Sequence, residues 1–203
     1  MKIICIGRNY VDHIKELNNA IPTSPVFFLK PDTSLLIRNR PFFYPAFSDN
    51  IHYEVELVLK ICKVGRNIQK KFASAYFDEI GIGLDMTARD LQDTAKDKGL
   101  PWTVAKGFDQ SAPVSKFLPK TDFNDLKNIN FHLDLNGTKV QQGNSGLMMY
   151  DFDDIILNIS KFMTLRTGDY IFTGTPAGVG PVKVGDKLEA WIEEEKLLSC
   201  LIK

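Results

Sequence analysis

The segment Ile51-His52-Tyr53-Glu54-Val55-Glu56-Leu57-Val58-Leu59-Lys60 decides how this sequence folds. Its odd positions are apolar or aromatic, and its even positions carry most of the polar groups. This period-two alternation is typical of a β-strand whose two faces meet different surroundings. We therefore predict a half-buried strand over residues 51–60, with Glu54 and Glu56 on the same face.

Short β-branched or alternating segments recur on both sides of this strand. They predict further strands, with turns at Asn136-Gly137 and Gly185-Asp186, over residues 2–6, 26–30, 80–85, 131–135, 139–142, 170–173, 188–192 and 196–202. Helical patterns are few and cover residues 9–18, ending near Asn18-Asn19, residues 72–80 and residues 153–163. Many strands with few helices predict a β-rich α+β fold rather than a parallel α/β sheet.

The chain is electrically balanced, with 25 Lys or Arg and 25 Asp or Glu among 203 residues. Its length fits one domain with a substantial core, so we expect a single domain over residues 1–203. A neutral chain offers no electrostatic surface for nucleic acid or an anionic membrane, and we expect neither partner.

The lengths of the apolar runs and the number of cysteines indicate the cellular compartment. No apolar run approaches the roughly 20 residues that cross a bilayer, and the amino end does not have the pattern of a secretory signal. The cysteines Cys5, Cys62 and Cys200 are odd in number and far apart. They favour free thiols in a reducing cytoplasm.

The pair Glu54 and Glu56 is a candidate metal site. Two residues apart on a strand, the carboxylates leave the same face and repel each other unless a cation or a proton lies between them. Mg²⁺, Mn²⁺ and Ca²⁺ all accept such oxygen ligands. An exposed strand face with two solvated glutamates is the alternative, and the pair alone favours it.

Asp85 adds a third carboxylate directly after the apolar, glycine-containing run Gly81-Ile82-Gly83-Leu84. An unpaired charge at the end of a buried strand is costly, so this aspartate needs a partner. Two glutamates and one aspartate together form a plausible set of ligands for a hard divalent ion. An N-cap role ahead of residues 87–92 is the competing explanation.

Four other side chains suit catalysis or anion binding. His13 and Glu16 lie three apart in a predicted helix, where the carboxylate would fix the imidazole tautomer for activation of water. A surface pair is the alternative. Lys106 has mostly apolar neighbours, so it either extends to solvent or binds an anionic ligand. Arg8, close to a strand end, is a candidate for binding a substrate carboxylate.

Two segments are candidates for ligand contact. Residues 174–180, GTPAGVG, have neither the spacing of a dinucleotide-binding loop nor that of a P-loop. Their backbone N–H groups suit a carboxylate, although a simple glycine-rich turn explains them equally well. The highly charged residues 89–99 are a candidate lid.

Taken together, these segments resemble the fumarylacetoacetate hydrolase family, specifically its short, acylpyruvase-like branch. The resemblance covers nearly the whole chain. It rests on the motifs CIGRNY (residues 5–10) with His13 and Glu16, PVFFLKP (25–31), HYEVEL (52–57), GLDMTARD (83–90), KGLPW (98–102) with Lys106, QGNS (142–145) and GDYIFTGTP (168–176).

The resemblance implies a mixed β-roll with a few short helices, one catalytic domain and a homodimer. It also implies a divalent metal, Mg²⁺ or Mn²⁺ with Ca²⁺ as a further candidate. The implied metal ligands are Glu54, Glu56 and Asp85. The implied catalytic residues are His13 and Glu16, which activate water, and Lys106, which lies near the substrate. The implied substrate contacts are Arg89, Gln92 and Thr175. Founding members of the family carry an extra metal aspartate near the glycine after the first strand. The motif GRNY (residues 7–10) has none, so we expect three carboxylate ligands.

The expected activity is metal-dependent hydrolysis of a carbon–carbon bond in an acylpyruvate, giving pyruvate and a carboxylic acid. The metal would act as a Lewis acid on the 2-oxo acid, and water activated by His13 with Glu16 would attack the distal carbonyl. Oxaloacetate decarboxylation, or 2-oxo acid isomerisation or decarboxylation in aromatic degradation, is the alternative. A non-catalytic metal- or ligand-binding module is the alternative of another class.

Overall fold

The computed structural model describes residues 1–16, 20 and 22–203. Within these residues the α-helices are α1 (Val11–Glu16), α2 (Lys70–Ala73), α3 (Arg89–Asp97), α4 (Thr103–Lys106) and α5 (Phe152–Phe162). The β-strands of the same residues are β1 (Ile3–Ile6), β2 (Phe27–Lys30), β3 (Leu35–Leu36), β4 (Ile51–Tyr53), β5 (Val55–Ile61), β6 (Phe77–Leu84), β7 (Thr87–Ala88), β8 (Ala112–Pro113), β9 (Leu118–Pro119), β10 (Asn130–Leu135), β11 (Thr138–Asn144), β12 (Tyr170–Phe172), β13 (Gly180–Pro181), β14 (Lys187–Ile192) and β15 (Glu195–Leu201). The predicted helix end at Asn18-Asn19 lies outside the described residues.

The largest sheet is mixed and has the strand order β2-β1-β12-β5-β6-β9. Strand β1 pairs with β12 in parallel, and the other neighbours pair antiparallel. A second sheet, with the order β11-β10-β14-β15, is antiparallel throughout. The β-rich α+β fold class is therefore confirmed.

The main apolar core lies where the two larger sheets and helix α5 meet. Leu57 and Ile82 contribute to it from the first sheet, Leu133 and Ala190 from the second, and Ile155 from α5. All five side chains are fully buried. The beginning of β5 and the end of β6 lie next to each other at the edge of this core. They form a rigid support for the polar side chains described below.

Strand β5 is buried on both faces, so the prediction of a half-buried strand is wrong. Apart from Lys60, its residues are all buried. Its polar face is covered by other parts of the chain, and Glu56 on that face is only 1% exposed. The alternation of polar and apolar residues therefore indicates a polar site inside the protein and not a strand face exposed to solvent.

The predicted strand over residues 51–60 is divided at Glu54. Strand β4 before it pairs with β7 and β13, whereas β5 after it pairs with β6 and β12. The chain thus moves from one sheet to another at Glu54. The backbone N–H of Val55 donates to the side-chain oxygen of Gln141, 2.9 Å away, rather than to a neighbouring strand.

Local signals predicted most of the longer elements, whereas helix α4 and the two-residue strands β3, β7, β8, β9 and β13 were not predicted. The hairpin turn at Asn136-Gly137 is present with positive φ angles, and helix α5 begins after Asp151, whose carboxylate accepts from Asp154 N at 2.8 Å. The helix predicted over residues 72–80 is wrong beyond its first turns, because β6 begins at Phe77 and pairs with β5. No helix of the described residues is long and apolar enough to cross a membrane.

Candidate metal centre and active site

Three buried carboxylates meet where β5 begins and β6 ends. Glu54, Glu56 and Asp85 are between 1% and 5% exposed, and one oxygen of each lies within 4.8 Å of the others. The register of β5 and β6 pairs Val55 with Leu84, and Asp85 N donates to Glu54 O at 2.8 Å. The strand pairing therefore brings together groups that lie about 30 positions apart in the sequence.

Both alternatives to a metal site are wrong at these positions. The glutamates do not lie on a solvated face, because both are buried. Asp85 is not a helix N-cap, since α3 begins at Arg89 and the cap position, Ala88, has no side-chain hydrogen bond.

Lys106 contacts two of the three carboxylates. Its Nζ lies 2.7 Å from Glu54 Oε2, 2.8 Å from Asp85 Oδ2 and 2.6 Å from Thr87 Oγ1. Burial acts to lower the pKa of Lys106, but the carboxylates of Asp85 and Glu54 outweigh it and raise the pKa above its usual value. The ammonium group therefore remains protonated and serves as a fixed positive charge.

Lys30 is a second buried cation, and it was not singled out from the sequence. Its Nζ lies 2.8 Å from Asp85 Oδ1 and donates to Ser111 Oγ at 3.0 Å and Met86 O at 3.3 Å. It also donates to the carbonyl of Lys106. A lysine in an aromatic strand, immediately before a proline, was the available signal.

Arg89 and Gln92 face the same site from the beginning of α3. Arg89 Nη2 donates to Glu54 Oε1 at 2.5 Å, and Nη1 donates to Gln92 Oε1 at 2.5 Å. Arg89 Nε is buried and has no hydrogen-bond partner in the described part of the chain. The predicted lid over residues 89–99 is thus largely helix α3, and its first turn contacts the carboxylate cluster.

His13 and Glu16 form the pair expected from their spacing. His13 Nδ1 lies 3.3 Å from Glu16 Oε2, and the imidazole is only 5% exposed. Burial lowers the pKa of His13 below its usual value, and Glu54 and Glu16 offset this only in part. The ring is therefore neutral at neutral pH. With Nδ1–H donating to Glu16, Nε2 keeps its lone pair, so the surface-pair alternative does not hold for His13.

The glycine-rich turn binds carboxylates of the protein itself. Gly174 N donates to Glu56 Oε2 at 2.6 Å, and Gly178 N donates to Glu16 Oε1 at 3.0 Å. Both glycines have φ near +100°, where other residues are strained. A Cβ on Gly174 would also lie 2.6 Å from Cβ of Asn9.

The charges of the cluster fit a divalent metal. Burial, together with repulsion by Asp85 and Glu54, raises the pKa of Glu56 well above its usual value. Burial would also raise the pKa of Glu54, but Lys106 and Arg89 lower it below the usual value. Asp85 Oδ1 is buried and accepts no hydrogen bond among the described residues, although Lys30 Nζ is near. A hard divalent cation would relieve the repulsion at Glu56 and would bind that oxygen of Asp85.

A cavity of about 20 Å³ lies beside the cluster. Its lining brings together most of the predicted site residues, namely Arg8, His13, Glu54, Arg89, Gln92 and Lys106. A volume of this size holds roughly one water. The site is therefore closed as it stands, and a substrate requires movement of the residues that cover it.

Thr175 and two residues not predicted from the sequence surround this site. Thr175 is absent from the cavity lining, but it follows Gly174 and is buried. Gln141 Nε2 donates to its hydroxyl oxygen at 2.8 Å. The buried side chain of Asn9 donates to Thr173 O at 2.8 Å and accepts from Tyr150 N at 2.8 Å. A buried amide side chain leaves no distinctive sequence pattern.

Residues 2–201 match the C-terminal domain family of fumarylacetoacetate (FAA) hydrolase. The chain belongs to the fumarylacetoacetate hydrolase family. It is 46% identical over 190 residues to the mitochondrial oxaloacetate tautomerase of Bos taurus, covering 94% of this chain and 86% of that protein. It is 47% identical over 192 residues to the mitochondrial oxaloacetate decarboxylase of Dictyostelium discoideum, covering 94% and 88%.

A solved structure of another family member has the same fold. Fumarylpyruvate hydrolase from Pseudomonas aeruginosa, in complex with Mn²⁺ and pyruvate, superposes with a TM-score of 0.93 and 31% identity. The alignment covers 100% of this chain and 90% of that one. The resemblance to this enzyme family that the sequence motifs indicate is confirmed, and the alternative of a non-catalytic binding module is disfavoured.

Proposed function

We propose that this fumarylacetoacetate hydrolase family member is a divalent-metal-dependent enzyme acting on oxaloacetate, as a keto–enol tautomerase and decarboxylase. The named relatives support this alternative better than acylpyruvate hydrolysis. The observation that carries the proposal is the balance of buried charges around the metal site. Three carboxylates are accompanied by three cations, Lys30, Lys106 and Arg89, and all six are buried.

This balance favours a ligand with two negative charges. Because the protein's own cations already compensate its carboxylates, a bound divalent ion adds charge that the protein does not neutralise. Burying uncompensated charge is costly. A dianion such as oxaloacetate restores neutrality, whereas pyruvate or acetylpyruvate carries only one carboxylate.

Arg89 supplies the contact for the second carboxylate. Its buried Nε has no partner in the described chain, and a carboxylate is the strongest acceptor for such a donor. Arg8, in the segment that follows β1, lines the same cavity. We assign Arg8, Arg89 and Gln92 to substrate binding, with Thr175 as a further contact.

The metal would be held by Glu54, Glu56 and Asp85. It would supply Lewis-acid stabilisation of the negative charge that develops on the 2-oxo oxygen. Mg²⁺ or Mn²⁺ is the proposed ion, because three carboxylates leave positions for water or substrate. The Mn²⁺ in the Pseudomonas aeruginosa enzyme supports this choice, and Ca²⁺ is the competitor to exclude.

His13 moves the proton in our proposal. Conversion of enol to keto oxaloacetate requires loss of the enol hydroxyl proton and delivery of a proton to C3. The neutral imidazole, held by Glu16 through Nδ1, presents Nε2 to accept and return a proton. Lys106 remains protonated, so it stabilises negative charge on the substrate and does not act as the base. Loss of CO₂ breaks the C3–C4 bond without a base, because the electron pair of that bond passes into the pyruvate enolate. The enolate then takes up a proton at C3.

Acylpyruvate hydrolysis is the second candidate function, and one observation favours it. Glu16 binds both the imidazole of His13 and the backbone N–H of Gly178, an arrangement that orients a base for activating water. Tautomerisation needs a proton carrier but no such water. Relative rates on the two substrates decide between the candidates.

We also propose one catalytic domain over residues 1–203, a homodimer and a cytoplasmic location. An apolar groove of about 810 Å³ along edge strand β2 supports self-association. Leu29 and Leu100 in its lining are exposed. The three cysteines are free thiols, which suits a reducing compartment. Sedimentation equilibrium tests the dimer.

The test of function is a comparison of three rates on one Mg²⁺-loaded preparation. Ketonisation of enol-oxaloacetate, release of CO₂ from oxaloacetate and release of pyruvate from acetylpyruvate are measured side by side, with Asp85→Asn as the control. The proposal predicts that oxaloacetate is turned over with the higher kcat/KM. A higher kcat/KM for acetylpyruvate would transfer the assignment to hydrolysis.

A further inference from the structure

Gln141 joins two parts of the active site that are remote in the sequence. It lies in β11, its side chain is only 2% exposed, and its amide makes three hydrogen bonds. Oε1 accepts from Val55 N at 2.9 Å, and Nε2 donates to Thr175 Oγ1 at 2.8 Å and to Pro176 O at 2.9 Å. One side chain therefore connects the strand break at Glu54 with the turn that follows β12.

The orientation of this amide is determined by its neighbours. The backbone N–H of Val55 can only donate, so it requires Oε1. The carbonyl of Pro176 can only accept, so it requires Nε2. In the reverse orientation the N–H of Val55 would face the NH₂ group and the carbonyl of Pro176 would face Oε1. Two buried hydrogen bonds would then be lost. Nε2 therefore faces Thr175.

This orientation decides what the Thr175 hydroxyl can do. Nε2 carries hydrogens only, so Thr175 Oγ1 must accept from it, and the hydroxyl's own hydrogen points elsewhere. The hydroxyl donates to no acceptor among the described residues. A buried hydroxyl with an unused hydrogen is suited to donate to the oxygen of a bound anion.

The turn that carries this donor is bonded to the carboxylate cluster through the residue before it. Thr175 directly follows Gly174, whose N–H binds Glu56 at 2.6 Å. At the other end of the amide, Val55 lies between Glu54 and Glu56 in the sequence. Gln141 thus holds the Thr175 turn in register with the backbone that carries two of the three carboxylates.

We propose that Gln141 is a positioning residue that fixes the Thr175 hydroxyl as a hydrogen-bond donor to an oxygen of the bound 2-oxo acid. This role rests on the proposed function, because it assumes an anionic 2-oxo acid at the carboxylate cluster. Gln141 acts through Thr175 and touches no reacting atom.

The decisive variant is Gln141→Glu, which keeps the shape of the side chain. One carboxyl oxygen still accepts from Val55 N, but the other has no N–H for Thr175 Oγ1 or for Pro176 O, so the threonine hydroxyl turns its hydrogen toward position 141. The neighbouring Gln142→Glu is the matched control, because Gln142 is exposed in the same strand. Thr175→Val removes the donor, and Thr175→Ser retains it.

The measurement is calorimetric binding of pyruvate to the Mg²⁺-loaded protein. Gln141→Glu and Thr175→Val each weaken binding about tenfold or more, the effect of losing a hydrogen bond to a charged group. Thr175→Ser, which keeps the hydroxyl, binds pyruvate more tightly than Thr175→Val does, and Gln142→Glu stays within about threefold of wild type. The double variant Gln141→Glu/Thr175→Val binds no more weakly than Thr175→Val alone.

Two outcomes would overturn the role of Gln141. One is wild-type affinity in Gln141→Glu, and the other is additive losses in the double variant, since a direct charge effect would persist without the threonine hydroxyl. If the buried carboxylate unfolds the protein, Gln141→Met replaces it in the same cycle with the same expectation. Failure of wild-type protein to bind pyruvate would also overturn it. Pyruvate binding with this coupling, but no turnover of oxaloacetate, would remove the proposed function and leave the positioning role.

Discussion

Lys30 Nζ lies 2.8 Å from Asp85 Oδ1, and both side chains are buried. The lysine comes from edge strand β2, whereas the aspartate follows β6 on the far side of β1, β12 and β5. This ion pair connects the edge strand of the sheet to a proposed metal ligand. We therefore expect the carboxylate cluster to contribute to the free energy of unfolding.

Replacement of Lys30 by Met should destabilise the protein strongly. It removes the buried partner of Asp85 and four hydrogen bonds to neighbouring oxygens, and breaking such a pair costs about 3–5 kcal/mol. Lys116→Met is the control, because Lys116 is 63% exposed in its ion pair with Glu195 and should cost at most about 1 kcal/mol. Urea unfolding in EDTA measures both; equal losses would contradict this account.

Neutralising two carboxylates of the cluster should have opposite effects on the metal-free protein. Asp85→Asn leaves Lys30 and Lys106 without their shared anion and should cost about 3 kcal/mol or more. Glu56→Gln relieves repulsion at the carboxylate that no lysine contacts in the described structure, so stability in EDTA should be unchanged or higher. Both variants should lose Mn²⁺ affinity by more than about 100-fold. Unfolding in EDTA and Mn²⁺ titration check the two halves, and a large destabilisation by Glu56→Gln would refute the charge assignment.

Removal of the His13 imidazole should separate the reactions. His13→Ala should slow ketonisation and acylpyruvate hydrolysis by about 10²–10⁴-fold, the usual contribution of a positioned base. Loss of CO₂ from oxaloacetate needs no base and should fall much less. Equal losses in all three rates would count against this division.

Acidification provides a second test of His13. Because burial lowers its pKa below 6.5, the imidazole stays neutral, and activity should persist, as pH falls from neutrality to that value. The rate should decline only at lower pH. Glu16 raises the pKa of His13 through its hydrogen bond and charge, so Glu16→Gln should move the decline to still lower pH. A profile of kcat/KM for ketonisation that shifts upward in Glu16→Gln would contradict the assignment.

Replacement of Arg89 by Gln should affect dianionic substrates most. We expect KM for oxaloacetate to rise about 10–100-fold, because a charged partner of its second carboxylate is lost. KM for acetylpyruvate should rise less. Lys98→Gln, at an exposed position just after α3, removes an equal charge and should leave both KM values unchanged. Equal increases for the two substrates would indicate that Arg89 acts only through Glu54.

Short-range patterns predict the longer strands, helix α5 and the three carboxylates that the structure brings together. The hairpin at Asn136-Gly137, helix α5 and strand β5, which carries Glu56, all depend on residues close in the sequence. Alternation could not distinguish a solvated polar face from a buried one, so the prediction for β5 was wrong about its surroundings. The strand predicted over residues 80–85 corresponds to β6, but its beginning at Phe77 is predicted as helix, because pairing with β5 overrides the local helical pattern.

The undetected parts of the site depend on contacts between distant positions. Lys30 lies 55 positions from Asp85, and Gln141 lies 86 positions from Val55. Neither residue has a neighbour in sequence that signals its role, because a buried lysine or glutamine differs from a surface one only in its tertiary contacts. The closed cavity likewise arises from side chains of several separate segments.

The central claim is that the buried carboxylates support metal-dependent chemistry on oxaloacetate. Its most direct test follows the ultraviolet absorbance of freshly dissolved enol-oxaloacetate with Mg²⁺-loaded protein, with EDTA-treated protein, and after Mg²⁺ is restored. We predict rapid decay with Mg²⁺, the uncatalysed rate with EDTA, and recovery on restoration. Decay at the uncatalysed rate with Mg²⁺, or a catalysed rate that EDTA leaves unchanged, would contradict the account.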